Sequence, residues 1–462
     1  MTLFRILAAS AAGLVLSACA VGPDYQRPQL EVAAQGGFVS AGGGAFTPAE
    51  PHGDWWRLFA NPALDSLVAE ALSANKDIAV AAANLAQVRA QLSESRAGRL
   101  PSTTLTGQAA RVRQLDPASG RYAEGDAFAA GFDASYELDF FGRVGRSIEA
   151  ARADEGAAQA AVDVTRIAVA AETARAFADA CAANAQIAVA RRTLDLQQQT
   201  FDLTRRQQDA GRGAGLDVAR AGALLETTRA TLPPLEAQRD GALFRLAVLV
   251  ARPPAQVSPE ARDCLVIPQV AQAIPTGDGS GLLQRRPDVR QAERALAAAT
   301  ARIGVATAAL YPSVTLGGSI GTSAARAGDL GDDFSFGIGP LISWNFPNIA
   351  VARARVRQAG AAADGALARF EQTNLTALQE TETALTNYAR ELDRRAALRR
   401  AAAQSARAAQ LSRLRFDAGA DSFLAVLDAE RTRADLDAQL ARSDAQVTTN
   451  QIAVFKALGG GW

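Results

Sequence analysis

The residues able to do chemistry are few, and their spacing does not suit catalysis. The sequence holds one histidine, His52, and three cysteines, Cys19, Cys181 and Cys264. A general base or a metal ligand needs partners at a fixed separation, and no cysteine or histidine cluster here has zinc spacing. His52 reads as a surface residue. The run Gly211-Arg212-Gly213-Ala214-Gly215 looks superficially like a nucleotide loop, but it follows a helical pattern rather than a strand and lacks a Walker-type lysine. It reads as a tight turn between helices. These features predict a chain that is not an enzyme and carries no cofactor. Cys181 and Cys264 are able to pair in an oxidising compartment, although two small buried hydrophobes is the plainer expectation. The remaining candidates are charges whose use depends on the elements that carry them: Asp133, Glu137 and Asp139 on an alternating segment, and Asp428 and Arg431 one helical turn apart.

Composition narrows the classes. Lys+Arg and Asp+Glu total 48 each, so no net field gathers nucleic acid, and no basic cluster is interleaved with aromatics. Aromatics are 6% and alanine dominates long tracts, which favours long helices packed through small side chains. Residues 1–18 read as a secretory signal, with Arg5 as the charged start and an apolar stretch from Ile6 to Leu16 too short to span a bilayer. Leu16-Ser17-Ala18-Cys19 resembles a bacterial lipobox, which implies covalent lipid, a diacylglycerol and an N-acyl chain, on Cys19. Ala20, where Asp would imply retention at the inner membrane, points to the outer one. No later segment is apolar for eighteen residues, so a bilayer crossing must be made by strands.

The chain is an internal duplication. Residues 77–107 match 288–318 without a gap, pairing Asp77 with Asp288, Leu85 with Leu296, Pro101 with Pro312, Thr104 with Thr315 and Gly107 with Gly318. Asp209-Ala210-Gly211 likewise matches Asp417-Ala418-Gly419. The expected organisation is a lipidated extension at 19–62, a first repeat at 63–252, a proline- and glycine-rich equatorial linker at 253–281, a second repeat at 282–458 and a tail at 459–462. The first repeat is expected to hold a helix, strands at about 101–116 and 126–140, a long helix at about 142–210 and a helix at about 216–250. The second repeats this with strands at about 312–324 and 333–346 and helices at about 350–416 and 422–458.

Alternation defines the strands. Phe128, Ala130, Phe132, Ala134, Tyr136 and Leu138 share one face, while Asp133, Ser135, Glu137 and Asp139 share the other. The acidic residues are lumen-facing candidates, because a charge turned to lipid costs a few kcal/mol near the midplane. Each long helix spans about 100 Å at 1.5 Å per residue. Ile187, Leu194 and Phe201 form one apolar seam, and Val189, Leu196 and Leu203 form a second on the opposite flank, as a helix in the wall of a tube requires. Four strands cannot close a membrane barrel, whose smallest forms have about eight, so copies must combine. Two copies would give eight strands and three would give twelve.

At this point the residues resemble a known family, the outer membrane factors of tripartite efflux systems (the TolC/OprM/NodT-like family). The matches run along nearly the whole chain: the lipobox followed by Val21-Gly22-Pro23-Asp24-Tyr25, then Trp55-Trp56, then Tyr136-Glu137-Leu138-Asp139-Phe140-Phe141-Gly142-Arg143. They continue through Leu283-Gln284-Arg285-Arg286-Pro287-Asp288, Tyr311-Pro312-Ser313, Leu427-Asp428-Ala429-Glu430-Arg431 and a terminal segment from Phe455 to Trp462. The resemblance implies a mainly α chain with membrane β: a homotrimer whose twelve-stranded β-barrel continues into an α-helical coiled-coil tube in the periplasm. It implies an outer-membrane efflux duct served by a periplasmic adaptor protein and an inner-membrane pump. It also places Leu424, Asp428 and Arg431 at a periplasmic gate. The segment from Trp344 to Ile349 departs from the family pattern by lacking a glycine pair before the helix. Two rival readings, a periplasmic adaptor and a lipid-anchored coiled-coil spacer, account less well for paired amphipathic strands in two repeats.

Overall fold

The computed structural model describes residues 20–29, 36–51, 53–115, 120–347 and 349–460. The expected signal, Cys19 and His52 lie outside them. The described residues divide into two compact units. One takes the described residues of 20–28, 84–159 and 291–372, and the other takes those of 29–83, 160–290 and 373–460.

The first unit carries the sheet. Strands β2 (Ser102–Leu115), β3 (Tyr122–Leu138), β5 (Ser313–Ala324) and β6 (Ser335–Ser343) lie in the order β2-β3-β5-β6, every neighbour antiparallel. Two two-residue strands elsewhere complete the numbering, β1 (Phe46–Thr47) and β4 (Ile274–Pro275). β3 begins four residues before its expected start, so that the hairpin pairs Leu115 with Tyr122. At its foot β3 turns through Gly142, whose φ of 76° only glycine adopts freely, into the helix Arg143–Asp209. Small clusters join the helices of this unit: Leu92 packs on Val144 and Ile148, and Ala153 on Ala297 and Ala298. Two ion pairs flank them, Arg89–Glu155 at 3.0 Å and Arg302–Asp154 at 2.5 Å.

The second unit holds the larger core, assembled from segments distant in sequence. Trp55 is fully buried and stacks on Phe455 at 5.1 Å, with Phe59 edge-on to both. β1 and β4 pair in parallel, Phe46 meets Tyr388 edge to face, and Leu246, Leu282, Leu385 and Leu458 fill the space between. Arg286 is buried here with its guanidinium on Asp288, Glu380 and the carbonyl of Ala457. The helices of both units, in chain order, are α1 (Pro62–Ala74), α2 (Lys76–Ala97), α3 (Arg143–Asp209), α4 (Gly215–Arg229), α5 (Leu232–Leu249), α6 (Pro259–Arg262), α7 (Gly279–Arg285), α8 (Pro287–Ala308), α9 (Ile349–Asp417) and α10 (Phe423–Ala457).

Three features differ from the sequence reading. The helix expected at 216–250 is two helices, because Pro233 and Pro234 lack amide hydrogens and their rings reject an uninterrupted helical ladder; both sit in the first turn of α5, where that is tolerated. The matching α10 has no proline and runs unbroken for 35 residues. Cys181 and Cys264 are joined in a disulfide rather than packed as separate small hydrophobes. Asn184, on the turn of α3 after Cys181, donates to the carbonyls of Arg262 and Cys264, so side chain and disulfide fasten the same linker to the helix. Finally, Asp139 lies beyond β3 and not on it.

The disulfide joins residues 83 apart, and closing a loop of that size constrains the unfolded chain by about 4–5 kcal/mol in the chain-entropy description. Replacing both cysteines, Cys181→Ser with Cys264→Ser, is expected to lower the chemical-denaturation midpoint of the detergent-solubilised protein. An unchanged midpoint would remove the disulfide from its stability.

Candidate functional site

Register sorts the sheet residues into rows. Leu105, Phe132, Ile320 and Phe336 are directly opposite one another across all four strands, and Thr103, Ala134, Gly318 and Ile338 form the next row on the same face. Below them run Tyr136, Leu316 and Pro340, then Leu138, Val314 and Ile342. This face is apolar yet open: Leu105, Phe336 and Ile338 are each at least three-quarters exposed in the protomer. The opposite face has Thr104, Asp133, Ser319 and Gly337 in one row and Thr106, Gly131, Gly321 and Ser335 in another. A sheet with one oily and one small, polar face suits hydrocarbon on one side and water on the other.

The apolar face has limits. From Leu138 to Phe128 the strand rises about 33 Å, or about 25 Å in height at a tilt near 40°, which is the thickness of an outer-membrane apolar band. Immediately above it, on the same face, Arg111 faces Asp126 at 3.7 Å and the Arg113 guanidinium stands 5.7 Å over the Tyr122 ring. Below it aromatics gather at the foot of the sheet. Phe141 stacks on Tyr311 at 4.6 Å, Trp344 on Phe346 at 4.9 Å, and the Trp344 indole donates to the carbonyl of Leu310. Such belts mark membrane interfaces. The outer edges of β2 and β6 have no strand partner among the described residues.

The acidic candidates separate. Asp133 is exposed on the polar face. Glu137, on the same face, is engaged by the Arg143 guanidinium in a two-point ion pair. Asp139 does not belong with them: its two carboxylate oxygens accept the backbone amides of Val144 and Gly145 at 3.0 and 2.7 Å, capping α3 at the end where its dipole is positive. An Asp just upstream of a glycine and a helical run was the available signal for a cap, and the alternating pattern masked it.

At the far end of the repeats the two matched turns are alike. Gly211 and Gly419 both have φ of 71°, and the following residues, Arg212 and Ala420, donate back to Gln207 and Arg415. These are Schellman-type caps, so the glycine run after α3 ends a helix and binds no phosphate. The second turn is closed by Arg415 on Asp421 at 2.7 Å. Leu424, Asp428 and Arg431 then share one exposed face of α10, while Phe423, Val426, Leu427 and Glu430 are buried behind them. Phe423 and Leu427 pack on Ala221, Phe201 and Phe416. Among the described residues no ion pair joins Asp428 to Arg431. Arg431 instead opens onto a cleft of about 1040 Å³ between α3, α4, α5 and α10, also lined by Asp179, Arg245, Asp435 and Arg442. Burial pushes the Asp179 carboxyl above its usual range against the pull of Arg245, 3.0 Å away, and of Arg175. Sequence reading passed over this cleft, and also over Gln197, Thr200 and Thr204, which are buried polar residues between the expected seams of α3.

A family model described as outer membrane efflux protein matches two stretches of the chain, 67–252 and 279–460. Nodulation protein T of Rhizobium leguminosarum bv. viciae is 32% identical over 99% of this chain and 93% of its own length. The pyoverdine export outer membrane protein OpmQ of Pseudomonas aeruginosa is 33% identical over 97% and 95%. Among solved structures, the outer-membrane channel OprN superposes with a TM-score of 0.91 at 35% identity, covering 96% of this chain and all of that one. The MtrE outer membrane channel of Neisseria gonorrhoeae, solved in its open state, gives 0.82 at 28% identity, covering 96% and 98%.

The row assignment has a direct test. Phe132→Lys is expected to destabilise the folded protein in lipid vesicles by about 2–4 kcal/mol, and Asp133→Lys on the other face by under about 1 kcal/mol. Equal costs, read by denaturant titration, would mean that neither face meets lipid.

Proposed function

The chain belongs to the outer membrane efflux protein family, and on that premise we propose that three copies join their sheets into one twelve-stranded barrel whose bore continues through a tube of paired long helices. The outer membrane is its location and efflux its function, as for its relatives. The observation that carries the closure by several copies is the sheet itself, four antiparallel strands with a continuous apolar face and two edges without a strand partner among the described residues, and the number three follows the family. In lipid each unpaired backbone group costs several kcal/mol, and partner copies remove that cost at both edges.

The duct is passive. A periplasmic adaptor and an inner-membrane pump supply the energy and select the cargo, and the chain itself contributes a wall and a gate. Relatives named for pyoverdine export and for toluene and antibiotic efflux differ in cargo, which supports selection by the pump rather than by the duct. Covalent lipid on Cys19 is the second attachment to the membrane. Asp133 and Glu137 face the bore, and Asp133 favours cations there while Glu137 is neutralised by Arg143.

The gate is the exposed face of α10. Leu424, Asp428 and Arg431 from three copies converge on the axis, where like carboxylates repel unless each finds a cation. The lack of an Asp428–Arg431 pair within one protomer leaves both groups available to neighbouring copies. Hydrogen-bonded ion pairs between copies then hold the closed state, and engagement of the adaptor and pump replaces them.

Asp428→Ala combined with Arg431→Ala is expected to raise single-channel conductance in planar bilayers several-fold without changing the trimer. Unchanged conductance would take these residues out of the gate. Asp133→Ala should shift the reversal potential in a salt gradient toward zero selectivity, and an unchanged potential would remove Asp133 from ion selection.

A further inference from the structure

We infer that the helices at the foot of the sheet carry a cationic collar that binds the phosphate headgroups of anionic phospholipid in the periplasmic leaflet. The inference rests on the reading of the sheet as membrane-spanning, and its ligand is a component of the bilayer rather than a free anion.

The collar is a surplus of unpaired arginine. Arg96 lies in the last turn of α2, Arg99 in the link to β2, Arg152 near the start of α3, and Arg353, Arg355 and Arg357 within the first nine residues of α9. All six are exposed, and no guanidinium among them meets an acid or another hydrogen-bonding partner among the described residues. Their neighbours in the first repeat are balanced: Arg143 is held by Glu137, Arg146 by Asp24 and Glu149, and Arg89 by Glu155. The second repeat has no such provision, for residues 349–363 hold three arginines and no acid.

A neighbouring copy does not supply the missing charge at this level. Below the sheet in this unit, every described acid except Glu94, Asp364 and Glu371 already has an arginine or caps a helix. Three acids against six arginines leave a surplus of cations on each protomer, and a ring of copies only brings those surpluses together.

Position decides what the anion is. Leu100, which takes the place of Tyr311 in the duplicated stretch, is exposed beside Arg99, and Trp344 and Phe346 of the aromatic belt stand just before α9. Such a belt marks the edge of the hydrocarbon, and a headgroup layer about 5–8 Å deep adjoins it. Arg353 follows the start of α9 by four residues, about 6 Å along the axis, and long arginine side chains reach back toward the interface. Phosphate is the fixed anion of that layer, and guanidinium matches it with two parallel hydrogen bonds.

The faces of α9 keep its arginines available. Ala352, Val356, Ala363 and Ala366 turn toward the protomer, and Val351, Ala354, Gln358 and Ala361 form an exposed uncharged stripe opposite them. Arg353 and Arg357, one turn apart, lie on one flank and Arg355 on the other. A helix in the wall of a tube has one flank inward and one outward, so α9 presents an arginine to the outside whichever flank that is.

The test uses the full-length protein reconstituted in phosphatidylcholine vesicles, into which dibrominated phosphatidylglycerol or dibrominated phosphatidylcholine is titrated. Bromine quenches a nearby indole, and the signal read is the part of the emission that Trp344→Phe removes. Quenching by neither lipid sinks the membrane reading itself, whereas equal quenching by both sinks the collar alone. Wild type should prefer phosphatidylglycerol at least about fivefold, the factor that one arginine contributes near an anionic surface. The preference should fall toward one in Arg353→Gln, Arg355→Gln and Arg357→Gln combined, survive in the matching triple lysine variant, and weaken as salt rises. Arg96→Gln with Arg99→Gln, both exposed, should also lower it and serves if the triple variant does not fold. A preference that inorganic phosphate abolishes at constant ionic strength overturns the lipid assignment. So does a triple glutamine variant that loses the oligomer and keeps the preference, because these arginines then belong to a contact between copies.

Discussion

Backbone polarity in hydrocarbon is the constraint on which the rest of the chain depends. A strand that enters lipid must hand every amide and carbonyl to a neighbour, because no water is present to take them. This chain satisfies that rule at three of its strand pairs and leaves it open along the outer edges of β2 and β6. A sheet with an oily face and open edges is hazardous as a monomer, since it would pair with any exposed strand. The proposed cyclic closure pairs the edges and turns the oily face to lipid, which makes sheet and assembly one solution to one problem.

Several elements could be read from sequence because their physics is local or repeats. The duplicated Pro-Ser-x-Thr-Leu-x-Gly stretch, the alternation through Phe128 to Leu138 and the helical rods depend on neighbours two to four residues away, and these appear in the structure as β2, β3, β5, α3 and α9. The exposed face of Leu424, Asp428 and Arg431 follows from helical spacing alone. What could not be read depends on distant partners or on a competition between two local rules. The Cys181–Cys264 bond needs the linker laid along α3, which nothing in the spacing of two cysteines encodes. Asp139 fits both an alternating strand and a helix cap, and the cap prevails because two unsatisfied amides at the start of α3 bind a carboxylate more strongly than open water does. Pro233 and Pro234 interrupt the first copy where the second has no proline, so the likeness of the repeats points to an unbroken helix that the two rings forbid.

The second unit shows how a protein poor in aromatics builds a centre. Trp55, Phe59 and Phe455 come from opposite ends of the chain and meet in one cluster, while Arg286 holds the last turn of α10 through the Ala457 carbonyl. Alanine is the commonest buried residue along the helices, and it allows close approach while contributing little per residue. Concentrating large side chains where three remote segments cross fixes chain topology with few residues. It leaves the long helices free of bulky knobs along much of their length.

Duplication produced two hairpins of the same plan, and one of them then diverged in stiffness. The rod α10 has an unbroken hydrogen-bond ladder, whereas its counterpart is cut between α4 and α5 at Ala230 and Thr231. A helix missing rungs bends at that point with little loss, and an intact one resists. In the proposed ring of protomers rigid and jointed staves alternate, an arrangement in which the jointed ones can flex while the rigid ones keep their line.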